Sequence, residues 1–335
     1  MDPVYQAAGS YKGRIYSITD GNAGIYNVMY YNINLLNEID MTKSPAEIFN
    51  DGDWTYSEFV SYAIDAQSRL NALDTENQYW AVAGSSPFYW VGMANAGGVR
   101  LIDVSAMQLN FLDPISITAA DALRSIKAAN AMDPARQVDQ NVTSWMDGRA
   151  LFSSGDLWFV RTSNRWPDNL WGEGDATKYG YVPFPRPDGT DKADQEIGLG
   201  GTATWVMPIG RDYSGYTSDL SAENVYRAIL DTFLKTAEYQ TSDPDYNEEA
   251  ILRANAERYA DSEASVQAFM FMTNQIKVNG FYDPISTQDN PVVRTDYSTF
   301  VTNVNNYIMG SVDTFAEAVS PLLPALQEAL TKAYS

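Results

Sequence analysis

Tryptophan is concentrated in the middle of the chain. This residue type favours binding of ring-shaped ligands, so the concentration points to a binding surface there. The chain contains eight tryptophans, and those between positions 145 and 205 are Trp145, Trp158, Trp166, Trp171 and Trp205. A sugar ring exposes an apolar face of C–H groups, which an aromatic plane covers well. We expect at least two of these rings to face a ligand. The alternative for each ring is a place in the core, and for the turn-rich stretch 166–171 it is a hydrophobic clamp that holds the loop down.

The chain contains no cysteine and no histidine, which removes many kinds of catalytic and metal-binding site. Ser-His-Asp triads, cysteine nucleophiles, Cys/His zinc sites and haem ligation by histidine are all excluded. Carboxylates remain, and a pair of them could hydrolyse a glycosidic bond, but no spacing in the sequence singles out such a pair. We therefore expect no catalytic residue, no metal site and no cofactor. A carboxylate-based glycoside hydrolase is kept as an alternative.

The charge balance of this acidic protein argues against two classes of partner. The formal net charge is −21, whereas nucleic-acid binding and attraction to an anionic membrane both need clustered Lys and Arg. Residues 198–202, Gly-Leu-Gly-Gly-Thr, lack the Lys-Ser/Thr pair of a phosphate-binding loop. No apolar run reaches the ~18 residues of a membrane-spanning helix, and residues 1–5 show no signal-peptide pattern. We expect an acidic surface that serves solubility.

Helix and strand signals alternate irregularly along the chain, which is typical of the α/β class. Thr55 and Glu58 form a capping-box pattern ahead of an apolar stripe, which predicts a helix over about 56–73. Further helices are predicted from Thr118, from about 222, over about 262–277 and 297–309, and from Pro321. Strands are predicted at 25–31, 79–83, 156–161, 179–184 and 202–207. At 335 residues the chain exceeds one typical core, so we expect two lobes.

Several segments, taken in order, carry a family resemblance. Residues 145–152, Trp-Met-Asp-Gly-Arg-Ala-Leu-Phe, are followed by Gly155-Asp156-Leu157-Trp158, and 53–59 place Trp and Thr ahead of Glu. The other segments are 13–19, 30–36, 179–185, 200–208, 222–234 and 310–318. Together they resemble the carbohydrate-type solute-binding proteins of ABC importers, the group that includes maltose-binding protein. In 53–59 the Trp and Thr stand in the reverse of the family's order.

The resemblance implies a periplasmic-binding-protein-like α/β fold of two lobes with an incomplete first lobe. The family normally has roughly a hundred further residues, the length of a small domain, ahead of the segment that 13–19 resembles. The implied division is a remnant of lobe one with the first hinge crossing at 1–19, and the main part of lobe two at 20–206. Residues 207–283 would be the helical remainder of lobe one, and 284–335 would return to lobe two.

The resemblance also implies where a ligand would bind. The implied contacts are Asp20, Asn22, Tyr89, Trp90, Trp158, Thr202, Thr204 and Tyr297. Tyr89, Trp90 and Trp158 would stack on the ligand, whereas Asp20 and Asn22 would bind hydroxyls or, alternatively, only form a turn. The implied function is non-enzymatic binding of an oligosaccharide or polyol outside the cytoplasmic membrane and its delivery to an ABC permease. The alternative is a solute-binding-like domain reused as an assembly subunit, with self-association or a complementing chain supplying the missing strands.

Overall fold

The structure is a computed structural model that describes most of the chain. The described residues are 9–11, 14–17, 28–73, 77–172, 177–199, 247–286, 292–294 and 297–334, with 224, 227, 228, 231, 232 and 242. Within this part of the chain, no helix combines the length and the apolar character that crossing a membrane requires.

A mixed four-stranded sheet lies at the centre of the described fold. The strands in the described part of the chain are β1 (Ser10–Tyr11), β2 (Arg14–Ile15), β3 (Val28–Asn32), β4 (Trp80–Ala83), β5 (Ile102–Asp103), β6 (Gln108–Leu109), β7 (Ala150–Gly155), β8 (Tyr179–Val182), β9 (Ile197–Leu199) and β10 (Gly280–Tyr282). The central sheet has the order β4-β7-β3-β8, whereas β1 with β2, β5 with β6 and β9 with β10 form two-stranded pairs. Strands β3, β7 and β8 are buried at every position, as expected of strands covered on both faces.

Helices cover the central sheet and surround it. They are α1 (Ile33–Glu38), α2 (Pro45–Asp51), α3 (Tyr56–Leu70), α4 (Ser86–Ala96), α5 (Pro114–Ala128), α6 (Thr143–Met146), α7 (Glu248–Ala256), α8 (Glu263–Asn279), α9 (Tyr297–Ile308), α10 (Phe315–Val319) and α11 (Leu323–Tyr334). Short 3₁₀ turns lie at Asp139–Asn141, Leu157–Phe159, Lys192–Asp194, Pro284–Ser286 and Ser320–Leu322.

Local capping chemistry explains where several helices begin. Thr55 accepts a hydrogen bond from the backbone of Glu58 and starts α3 where the capping pattern predicts it. The predicted start at Thr118 is wrong, because Asp113 caps α5 and Pro114 occupies its first turn. Thr118 lies inside the helix and donates its hydroxyl back to the Pro114 carbonyl.

The strand predicted at 156–161 is also displaced. The structure has strand β7 at Ala150–Gly155, and residues 157–159 form a 3₁₀ turn after it. Residues 157–160 are all apolar, whereas Ser153 and Ser154 interrupt the apolar run before Gly155, so the sheet pairing rather than the local signal decides which side forms the strand. The predictions for 79–83, 262–277 and 297–309 match β4, α8 and α9 closely.

Helix α8 joins the central sheet to the later part of the chain. The Tyr31 hydroxyl lies 2.9 Å from the Ser265 hydroxyl, and the backbone N–H of Tyr181 donates to the same Ser265 oxygen over 3.0 Å. The ring of Phe269 packs 5.3 Å from that of Tyr181. The helical segment predicted to be the remainder of lobe one thus contacts the sheet of the other predicted lobe. The four-part division of the chain stays a prediction.

Candidate functional site

One edge of the central sheet collects the ends of three strands that run in the same direction. Strand β4 is parallel to β7, and β3 is antiparallel to both β7 and β8, so β4, β7 and β8 end at the edge where β3 begins. Val28 pairs there with Gly155. In open α/β sheets, ligands bind outside the carboxyl ends of the strands. The turn that follows β7 therefore lies where the architecture favours a binding site.

Trp158 is the tryptophan that this turn presents to solvent. Its side chain is 51% exposed, whereas Trp145 and Trp166 are 0% exposed and belong to the core. The indole Nε1–H of Trp158 donates to Asp156 Oδ2 over 3.0 Å. The ring also meets that of Phe159 edge to face, with 4.6 Å between centroids. A large aromatic surface is thus held in a defined place and left open to a partner.

Arg165 lies over one face of this indole. The guanidinium carbon is 5.3 Å from the centroid of the Trp158 ring and 5.8 Å from that of Phe159, within the range of a cation–π contact. The Thr162 hydroxyl donates to the Trp158 carbonyl over 2.5 Å and fixes the backbone of the turn. Arg165 covers one face of the ring, so a ligand that stacks on Trp158 would use the other face.

The carboxyl group of Asp156 stands beside the exposed ring, and that of Asp139 acts on it electrostatically. Burial raises the pKa of Asp156 to about 6, the hydrogen bond from Trp158 opposes that rise, and the charge of Asp139 adds to it. The pKa of Asp139 is also raised by burial, with Arg165 opposing. Asp139 has φ of 55°, a left-handed conformation that is uncommon outside glycine and tends to occur at functional sites.

Tyr297, the first residue of α9, reaches the same neighbourhood from the C-terminal part of the chain. Burial raises its pKa to about 12, Arg136 opposes the rise, and the charge of Asp139 adds to it. Asp139 therefore acts electrostatically on both Asp156 and Tyr297, which links the predicted contact Tyr297 to the surroundings of the predicted contact Trp158. We refer to Asp139, Asp156, Trp158, Arg165 and Tyr297 as the Trp158 site.

Tyr89 and Trp90 are not part of this site. Both are 0% exposed. The Tyr89 hydroxyl donates to the Ala83 carbonyl over 3.0 Å, and the Trp90 indole N–H donates to Ser116. The Trp90 ring packs 5.4 Å from that of Phe315. Because their rings lie in the core with their polar atoms bonded internally, neither offers a face to a ligand here, contrary to the stacking role that the sequence suggested.

The remaining predicted contacts and tryptophans fall into two groups. Asp20, Asn22, Thr202, Thr204 and Trp205 lie outside the described residues. The stretch 166–171 is a hydrophobic clamp, since Trp166 is buried and the Trp171 indole N–H donates to the Trp145 carbonyl over 2.7 Å. The rings of Trp145 and Trp166 are 5.1 Å apart. This cluster holds the loop in place and belongs to the core.

Sequence reasoning missed three members of the Trp158 site. Asp156 stands inside the Gly-Asp-Leu-Trp segment that carries the family resemblance, so its nearness to Trp158 was a usable signal. No local sequence pattern points to Asp139 or Arg165. Among the described residues, no group of three or more acidic side chains could hold a metal ion.

Comparison with solved structures identifies the fold of this chain. No protein-family model and no curated protein matches the sequence. A family 1 extracellular solute-binding protein from Bifidobacterium longum subsp. infantis superposes with a TM-score of 0.59 at 16% identity, over 99% of this chain and 77% of that one. This chain has the fold of a solute-binding protein.

Two further solved structures agree with this assignment. The cyclic α-maltosyl-1,6-maltose binding protein from Arthrobacter globiformis gives a TM-score of 0.61 at 14% identity, over 99% of this chain and 76% of that one. The sugar-binding protein MalE from Xanthomonas citri gives 0.59 at 15%, over 99% and 74%. The α/β class and the periplasmic-binding-protein-like fold predicted from the sequence motifs are confirmed. The chain corresponds to about three quarters of the length of each of these proteins.

Proposed function

We propose that the chain binds a carbohydrate, an oligosaccharide or polyol, at the Trp158 site. The observation that carries this proposal is the half-exposed indole of Trp158, held at the carboxyl ends of the sheet strands by a hydrogen bond to the partly buried carboxyl group of Asp156. An open aromatic face next to hydrogen-bonding groups is what an amphipathic sugar ring requires. The fold supports the proposal, because it is the fold of proteins named for binding sugars.

The chemistry of the site fits hydroxyl groups. Carboxylates accept hydrogen bonds from hydroxyls, and a guanidinium or a phenol donates to them. Asp139 provides an acceptor, while Arg165 and Tyr297 provide donors. One ring of the ligand would stack on the free face of Trp158. The apolar contact would then contribute affinity, and the polar groups around it would select the arrangement of hydroxyls.

Delivery and location complete the proposal. A carbohydrate bound by such a fold would be passed to an ABC permease outside the cytoplasmic membrane, with closure of two lobes over the ligand as the expected motion. The function would be binding without a reaction. Solved structures of this fold hold different ligands, among them maltotetraose, cycloalternan and glycerophosphocholine. These three compounds are therefore sensible first probes.

Isothermal titration calorimetry of the full chain tests the proposal directly, because the heat of binding does not depend on which tryptophan changes its fluorescence. The variant Trp158→Ala removes the stacking surface. Its matched control is Trp80→Ala, because Trp80 begins β4 at the opposite end of the same sheet and pairs with Ala150 rather than with the site edge. We expect saturable heat with at least one oligosaccharide, a loss of roughly tenfold or more in affinity for Trp158→Ala, and little change for Trp80→Ala.

Two results would count against the proposal. Equal losses in both variants would place the effect in folding rather than in the site. No heat with any carbohydrate, together with a large defined assembly in light scattering of the same sample, would favour the use of this fold as an assembly subunit.

A second candidate, a carboxylate-based glycoside hydrolase, is favoured by one specific observation. A general acid needs a pKa raised toward neutrality, and the pKa of Asp156 is raised to about 6 with another carboxyl, Asp139, nearby. Incubation with maltotetraose followed by a reducing-sugar assay decides between binding and hydrolysis. Sugar release by the wild type that disappears in Asp156→Asn would favour the hydrolase. Stable maltotetraose in the presence of saturating protein would favour binding alone.

A further inference from the structure

The side chain of Asp156 accepts a hydrogen bond from an unusual donor. Asp156 follows β7 directly and precedes the 3₁₀ turn Leu157–Phe159, a position where an aspartate commonly accepts a backbone N–H of the turn. Its side chain makes no such capping bond. The carboxylate instead accepts the indole N–H of Trp158, two residues further on, over 3.0 Å. The Asp156 carboxylate thus uses its hydrogen-bonding capacity on the exposed ring of Trp158 and not on the backbone of the turn.

The ring of Trp158 depends on this bond because its other contacts are weakly directional. The indole is half exposed, with the edge of Phe159 on one side and the guanidinium of Arg165 over one face. Neither contact fixes the rotation of the ring as a hydrogen bond to its single N–H donor does. A half-exposed ring that can turn presents its free face to a ligand only part of the time, which lowers the apparent affinity.

We propose that Asp156 is a positioning residue for Trp158: by accepting the indole N–H, its carboxylate sets the plane in which the free face of the ring meets a ligand. The statement about ligands rests on the proposed function, whereas the link between the carboxylate and the ring does not. Asp156 acts through the indole, and its effect on binding should therefore vanish when the indole is absent.

Ionisation of Asp156 controls the strength of this link. The ionised carboxylate accepts a charge-assisted hydrogen bond, which is stronger than the bond to the neutral acid. The charged groups that face this region are Asp139, which disfavours ionisation of Asp156, and Arg165, which faces Asp139 and the indole. Because the pKa of Asp156 is raised to about 6, the ring should be held more firmly above that pH than below it.

The first experiment needs no ligand. Tryptophan emission is recorded between pH 4.5 and 8 for the wild type and for Trp158→Phe, and the difference isolates the ring of interest. We expect a step in the difference signal near pH 6 that is absent in Asp156→Asn. In Asp139→Asn the step should move to lower pH, since one negative neighbour has been removed. A step that persists unchanged in Asp156→Asn, or no step in the wild type, would overturn the proposal.

The second experiment uses a carbohydrate that the wild type binds, with affinity measured by calorimetry at pH 5 and pH 7.5. Asp156→Ala removes the acceptor and should lose roughly tenfold in affinity at pH 7.5. Asp156→Asn keeps an amide oxygen as acceptor, so it should lose less and show no pH dependence from this group. In a Trp158→Ala background, Asp156→Ala should have no further effect. An undiminished loss in that background would assign Asp156 a direct or a folding role and refute positioning.

The two experiments separate failure of the inference from failure of the proposed function. If the wild type binds no carbohydrate, the proposed function fails, while the emission titration still decides whether Asp156 holds Trp158. If carbohydrate binds but the difference signal shows no step, the proposed function stands and the positioning role falls.

Discussion

The buried carboxylate of Asp283 accepts a hydrogen bond from the side-chain amide of Asn95 over 2.9 Å, across 188 positions of sequence. Three backbone N–H groups complete the arrangement, from Leu101 at 2.6 Å, Ile102 at 3.2 Å and Ile285 at 3.2 Å. Asp283 follows β10, which pairs with β9. A single carboxylate therefore fastens the segment after β10 to the end of α4 and the loop behind it through N–H donors.

This burial makes part of the stability of the protein depend on pH. The pKa of Asp283 is raised to about 6 by burial, against the effect of its hydrogen bonds. A raised folded-state pKa means that the group contributes most below its ordinary pKa near 4 and that the contribution is lost as pH rises through about 6. The difference in unfolding free energy between the wild type and Asp283→Asn should shrink by up to a few kcal/mol over that range.

Urea unfolding of both proteins at several pH values between 4.5 and 7.5 provides the measurement. The other titrating groups contribute alike to both proteins, so they cancel in the difference. The amide of the variant also places a donor against N–H groups, which should make it less stable at every pH. A difference that stays constant with pH would contradict the raised pKa.

Arg186 should be a strong structural contributor through hydrogen bonds to backbone carbonyls. Its side chain is 2% exposed, and its guanidinium donates to the carbonyls of Thr190, Trp54 and Gly52. We expect Arg186→Met to reduce the free energy of unfolding by about 2–4 kcal/mol, because three carbonyls lose their donor. Arg186→Lys keeps the charge but not the planar fork, so its loss should be intermediate. Denaturation midpoints measure this, and a lysine variant as stable as the wild type would contradict it.

Gly180 should not tolerate a side chain, because Tyr31 occupies the space. A Cβ added at Gly180 would come within 2.0 Å of Tyr31 Cζ in a buried sheet pair. Overpacking of this kind should reduce the free energy of unfolding by about 1–3 kcal/mol in Gly180→Ala. The control Gly189→Ala meets no atom within 4 Å but has φ of 82°, so strain alone should cost it about 1 kcal/mol. Thermal melts compare the two, and the prediction fails if Gly180→Ala is the milder change.

Substitutions at Trp90 and Trp158 should affect different properties, stability at Trp90 and ligand binding at Trp158. Trp90→Phe removes the indole N–H that Ser116 accepts in the core, so it should reduce the free energy of unfolding by about 1–3 kcal/mol without changing carbohydrate affinity. Trp158→Phe should lower carbohydrate affinity without reducing the free energy of unfolding, because the ring of Trp158 is half exposed. Urea unfolding and calorimetry on the same preparations test both halves. A selective loss of affinity in Trp90→Phe would restore the stacking role that the sequence suggested for it.

Much of the framework could be predicted because its signals are local. The capping residue Thr55 and the apolar stripe behind it specify α3 within one neighbourhood of the chain, and the β-prone run at 79–83 marks β4. Where two local signals compete, prediction fails. The run at 157–160 after Gly155 is more apolar than the run before it, and only pairing with β3 and β4 makes Ala150–Gly155 the strand.

Residue types and order determined the α/β class, the solute-binding-protein fold and the exclusion of cysteine and histidine chemistry, because these depend on composition and on motifs that each lie within a short segment. Among the tryptophans that the structure describes, tertiary packing alone decided which one is half exposed. Trp90, Trp145 and Trp166 are as aromatic as Trp158, but their neighbours in space bury them. Packing also placed Asp139 within electrostatic reach of Asp156 and Tyr297, since an interaction between residues far apart in the chain leaves no periodic trace in sequence.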